Sequence, residues 1–182
     1  MSEKIVSPSM PDANERAREF ARLSRTLLLA THAGVLSTIE QAEGYPYGSI
    51  VEFLPLENGD VVFLLSTLAE HTRNFAQDAR VSLVVTEAVP TDAPLSLKRA
   101  TLLGTIARVE HDVGALQQAY VALHPHAASY AAFSDFAIYR LNVERVRYIG
   151  GFAEMGWIDR ATFVAANAAP AAPFSQSHSR LS

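Results

Sequence analysis

The chain has 182 residues, 49% of them apolar and 19% charged, which suits one domain with a substantial core and excludes wholesale disorder. A net charge of −4 with scattered basic residues argues against a nucleic-acid surface or a polybasic membrane patch. With no cysteine, disulfides, thiolate metal sites and cysteine nucleophiles are all excluded.

The opening residues MSEKIVSPSMPD are polar and contain proline, unlike a secretory leader, and no apolar run approaches spanning length, so the expected location is cytoplasmic. Residues 1–11 read as a flexible N-terminal arm. Asp12 to Thr26 reads as a helix: Ala17, Phe20, Ala21 and Leu23 form one stripe, and Arg16, Arg18, Arg22 and Arg25 lie mostly opposite it. Those arginines form either a solvated face or a partner surface. Thirteen of the fifteen basic residues are arginine, whose rigid fork suits carboxylates and other anions. The pattern becomes strand-like over Leu27 to Ile39. A turn at 41–44 leads to a strand over Tyr45 to Phe53, with Pro46 expected near its start or at an edge. Asn58-Gly59 signals a hairpin into the apolar strand Val61 to Leu65.

A helix is expected over Leu68 to about Ala79, with Thr67 and Glu70 at capping-box spacing. Further strands are expected over Val81 to Thr86 and Lys98 to Glu110, the second with a bulge or kink at Gly104. Asp112 caps a helix through Leu123, and His124-Pro125-His126 ends it. Two last strands, Ala137 to Leu141 and Val146 to Ile149, are joined by 142–145. The expected domain covers 12–160, with 161–182 an Ala/Pro- then Ser-rich flexible tail. Short antiparallel strands with a few helices between them predict a mainly β, α+β fold: a small barrel or curled sheet with peripheral helices.

The chemistry concentrates where the Val61 strand meets the following helix. A helix start presents free amides and a partial positive charge, and His71, Thr72 and Arg73 add donors there, so this turn is a candidate phosphate cradle. Other candidates are weaker. The histidines show no ligand spacing: His32, His71 and His111 are far apart, and His124 and His126 read as a solvated turn, so no metal site is expected. There is no GxSxG, HExxH or Walker pattern, and no catalytic residue is identified. Asp135 reads as a cap or a pocket acid, and Tyr130 and Tyr139 as core or interface residues. Trp157 either closes over a ligand or anchors the C-terminal segment.

In order and spacing, the segments GYPYGSIVEF, LLSTLAEHTRNF with ARVSLVV, RATLLGTIARVE and FAIYRLNVERVRYIGGF resemble the FMN-binding split-barrel family typified by pyridoxamine 5′-phosphate oxidase. They resemble its haem-utilisation branch most closely, from about Leu27 to Trp157. The resemblance implies a six-stranded antiparallel split β-barrel, usually a homodimer, with FMN in a cleft between subunits. It places Ser49, Ile50, Val51 and Arg99 against the flavin ring or ribityl chain, and Ser66, Thr67, His71, Thr72 and Arg73 around the phosphate. In the oxidase branch an arginine stands at Ser49, an Arg-Lys pair at Glu70 and His71, and a glutamine at Arg99. The implied function is that of an FMN-dependent oxidoreductase of unknown substrate. Haem handling on the same fold is the alternative, with His178 a ligand candidate by resemblance, and a non-catalytic dimeric module is a third.

Overall fold

The computed structural model describes residues 12–89, 91–151 and 154–168. Strands β1 (Ala33–Ile39), β5 (Arg80–Thr86) and β6 (Arg99–Arg108) follow the alternation expected of half-buried strands, with Leu36, Leu83 and Leu102 side by side in the core. Strand β4 (Val61–Ser66) is a continuous apolar run because both its faces are covered. Val61, Phe63 and Leu65 point into the main core, while Val62 and Leu64 lie under α3 (Val113–Leu123).

All eight strands form one antiparallel sheet in the order β2 (Pro46–Glu52), β1, β5, β6, β7 (Phe136–Gly151), β4 and β3 (Leu54–Pro55). Strand β8 (Glu154–Asp159) pairs with the far half of β7. The split-barrel expectation holds, with eight strands in place of the expected six, one of them the two-residue β3. Pro46 starts edge strand β2, where its missing N–H costs least. Gly59 has φ +87 in the Asn-Gly turn between β3 and β4.

Helix α1 (Ala13–Ala30) fills the core side with Phe20, Ala21, Leu27 and Leu28. It ends four residues later than expected. The run Leu27-Leu28-Leu29-Ala30 suits either periodicity, and Leu27 and Leu28 settle it by continuing the buried stripe from Phe20 and Ser24. A capping box is present here, between Asp12 and Glu15.

Three other expectations are corrected. Helix α2 (Glu70–Gln77) starts after Ala69 without a side-chain cap, so Thr67 and Glu70 form no capping box. The segment 142–145 is not a connection: β7 runs unbroken through it, and a register shift at Leu103/Gly104 absorbs the polar residues as a bulge. Residues 161–165, expected as the start of the tail, continue from Arg160 as a helix. This is α4 (Arg160–Ala165), capped by Asp159 and anchored by the fully buried Phe163. Asp112 precedes α3 as expected, but at φ 57 and without a side-chain cap bond.

The sheet therefore has a core face and an opposite face. Helix α3 covers the opposite face over β4. Further along, one cross-strand row on that face runs Ile50, Val35, Val84, Thr101, Arg147, Trp157. Among the described residues no helix is long and apolar enough to cross a membrane.

Candidate functional site

The turn from β4 into α2 is held by Asp135, just before β7. Ser66 Oγ donates to Asp135 Oδ2 (2.7 Å) and accepts from the Leu68 amide (3.1 Å), while the Thr67 amide donates to the Asp135 carbonyl (2.6 Å). A hydrogen bond to a carboxylate is among the stronger kinds, so this clamp fixes the turn in place of the expected capping box. The buried Thr72 donates its hydroxyl to the Ser66 carbonyl (2.7 Å). Asn74, fully buried, donates to Thr38 Oγ1 (3.0 Å) and ties α2 to β1.

His71 projects from α2 onto β2, where its Nδ1 lies 3.0 Å from Ser49 Oγ. Its Nε2 is buried without a partner, and its ring stacks near Phe75. Burial pushes the imidazole below its ordinary value of 6.5, so His71 is neutral here at neutral pH, not the imidazolium a phosphate cradle would prefer. Arg73 is largely exposed and pairs with Glu70 at 3.4 Å. The fold thus gathers Ser49, Ser66, Thr67, His71, Thr72 and Arg73 at one end of the sheet. The hydroxyls of Ser66 and Thr72 already donate inside the chain. Thr67, the His71 Nε2 and the Arg73 fork remain for a ligand, which gives polar contacts and one cation.

The other three expected contacts lie elsewhere. Val51 faces the core and is buried; Ile50, its neighbour, faces the opposite way and is 83% exposed. Consecutive strand residues alternate faces, so Ser49, Ile50 and Val51 cannot all present side chains to one surface. Arg99 is on the Ile50 face, where its guanidinium donates to the carbonyls of Leu95 and Leu97.

One feature differs from the sequence reading, and a second was read only in part. His124 is not solvated but 5% exposed, with Nε2 3.0 Å from the Phe53 carbonyl and Nδ1 3.7 Å from Glu52 Oε1. His126 Nε2 meets the other oxygen of Glu52 at 2.8 Å. This cluster ties the end of α3 to β2 across more than 70 residues of chain, which no local pattern reveals. Among the described residues no three His, Asp or Glu side chains are arranged to hold a metal ion. The second feature is Trp157, 54% exposed on β8, with Arg145 and Arg147 over its ring. The R-x-R spacing on a strand was its available signal. His178 lies outside the described residues.

The state of His71 has a pH consequence. Below pH 6.5 the unfolded chain takes up a proton that folded His71 resists, so stability is present above that pH and is lost as pH falls towards the depressed folded value. His32, also lowered by burial and by neighbouring His124, adds in the same direction. The urea midpoint is expected to drop between pH 7.5 and 5.5, and to drop less in His71→Gln. An equal drop in both proteins would mean that His71 is not buried against β2.

A family model described as CREG, beta-barrel matches residues 15–165. Among curated proteins, the "Non-canonical heme oxygenase HOZ, chloroplastic" of Arabidopsis thaliana is 34% identical over 167 residues, 86% of this chain and 51% of that protein. The chain thus spans about half the length of that relative. Among solved structures, a heme binding protein from Mycobacterium smegmatis superposes with a TM-score of 0.74 at 34% identity, over 88% of this chain and 63% of the other. A protein from Clostridium acetobutylicum related to general stress protein 26, of the pyridoxinephosphate oxidase family, shares the fold alone, with a TM-score of 0.60 at 14% identity over 78% of this chain and 95% of the other.

Proposed function

The chain belongs to the CREG, beta-barrel family, within the FMN-binding split-barrel superfamily, and on that premise we propose that it binds haem and serves in haem utilisation or breakdown. The observation that carries this reading is that two relatives, each 34% identical and aligned over more than four-fifths of the chain, are a heme oxygenase and a heme binding protein. The site chemistry supports it. The sheet face with exposed Ile50, Val35 and Trp157 beside Arg99, Arg145 and Arg147 suits a flat apolar ring with an anionic edge. Haem, when bound, supplies the iron for oxygen chemistry, and the chain's own part is to bind, orient and shield it. Haemin titrated into the full chain is expected to give a saturable Soret band at one equivalent per chain; no such band would end the reading.

The second reading is FMN, favoured by the unpartnered His71 Nε2 beside Ser49, Thr67 and Arg73 at the β4–α2 turn. Flavin would bring electron transfer, and these residues would hold its phosphate end. Its test is quenching of FMN fluorescence by the protein, weakened in Arg73→Ala.

We also infer a homodimer with the cofactor cleft between subunits. Its support is the apolar row Ile50, Val35, Val84, in which Ile50 and Val35 are exposed and Val84 is half-buried. Ile50→Arg is expected to shift sedimentation from dimer to monomer. A monomeric wild type would overturn the inference.

A further inference from the structure

Resting on the haem reading, we propose that Arg145, Arg147 and Trp157 form the carboxylate-holding end of the haem site, each guanidinium taking one of the two propionate groups. The two arginines are two residues apart on β7, so they emerge from one side of the sheet about 7 Å apart, twice the rise of a strand. Trp157 stands directly opposite Arg147 on β8. The guanidinium carbons of Arg145 and Arg147 lie 5.0 and 5.5 Å from its ring centroid.

An indole held by two cations steadies both forks, yet more than half of Trp157 stays open. Neither arginine forms an ion pair with a carboxylate among the described residues. The nearest acid by register, Asp159 opposite Arg145, turns towards α4 and accepts from the Thr162 amide and hydroxyl. Two forks with no carboxylate partner among the described residues thus stand beside one exposed aromatic ring. Arginine forks suit carboxylates in a bidentate manner, and the spacing suits two carboxylates borne on one ring edge. Arg99 is diagonal to Arg147 on the same face, but its carbonyl partners hold it back towards 95–97.

Haemin and haemin dimethyl ester, in which the propionates carry no charge, separate this inference from the reading beneath it. Each is titrated by its Soret band into wild type, R145Q/R147Q, R145K/R147K and W157A, all full-length and checked for unchanged melting temperature. Wild type is expected to prefer the diacid at least tenfold. R145Q/R147Q is expected to bind the diacid at least tenfold more weakly and the ester as wild type does, R145K/R147K to recover part of the loss, and W157A to weaken both ligands. If R145Q/R147Q binds the diacid like wild type, or loses diacid and ester equally, the inference falls and the haem reading stands. If wild type binds neither ligand, both fall.

Discussion

Gly104→Ala is expected to destabilise the protein by about 3 kcal/mol, the upper end of the usual penalty for overpacking. A Cβ built on Gly104 would lie 2.0 Å from the Asn142 carbonyl oxygen and 2.9 Å from its carbon. Both are backbone atoms of the neighbouring strand and cannot swing aside. The clash falls where the β6–β7 register shifts: Leu103 faces Arg145 while Gly104 faces Val143, leaving Glu144 as the extra residue. The only relief is to open the ladder between the two longest strands. Gly114→Ala, in α3 with nothing within 4 Å of its Cβ, is the contrast and is expected to gain about 0.5–1 kcal/mol from helix propensity. Urea unfolding of both variants checks the pair. A loss under 1 kcal/mol at Gly104 would mean that the strands do not approach this closely. The bulge also sets the geometry beyond it, because Arg145 and Arg147 follow directly and owe their common side of the sheet to the resumed register.

Gly104 illustrates what was readable. A glycine in a strong strand pattern has few explanations, and close backbone approach is one of them. The Asn-Gly turn and the strands β4 and β5 were legible because each depends on residues close together in the chain. The misreadings occurred where two periods fit the same residues or where the deciding partner was distant. Leu27 to Ala30 fits strand or helix, and only the buried stripe from Phe20 decides. The polar run 142–145 looks like a loop until its partner strand supplies a bulge. Thr67 and Glu70 have capping-box spacing, but Asp135, 68 residues away from Thr67, claims that turn. The site behaves likewise. The resemblance marked both Ser49 and His71, and the fold joins them through a hydrogen bond across 22 residues. The alternation of Ile50 and Val51 was implicit in the strand assignment and limits which of them can meet a ligand.

Phe163→Ala is expected to cost about 3–5 kcal/mol, the range for truncating a large aromatic ring in a core that cannot collapse around the void. Phe163 is fully buried and belongs to the main cluster with Leu28 and Val143. Arg25 on α1 packs over its ring at 5.6 Å, and the Gly59 turn is tight enough that a Cβ there would sit 3.0 Å from it. Flanking bonds lock the short helix to the sheet: Asp159 accepts from the Thr162 amide at 2.8 Å, and Arg160 bridges to the buried Asp60 at 2.9 Å and to the Val143 carbonyl. Asp60 also accepts from the Val143 amide at 3.1 Å, so removing α4 would strip a buried carboxylate of its cation as well as emptying the ring's site. Cutting the chain after Asp159 is therefore expected to unfold it. Any truncation assay of His178 has to keep α4, because a lost Soret band after a cut at Asp159 would report a collapsed core and not a missing ligand. A loss under 1 kcal/mol in Phe163→Ala would return 161–168 to the tail.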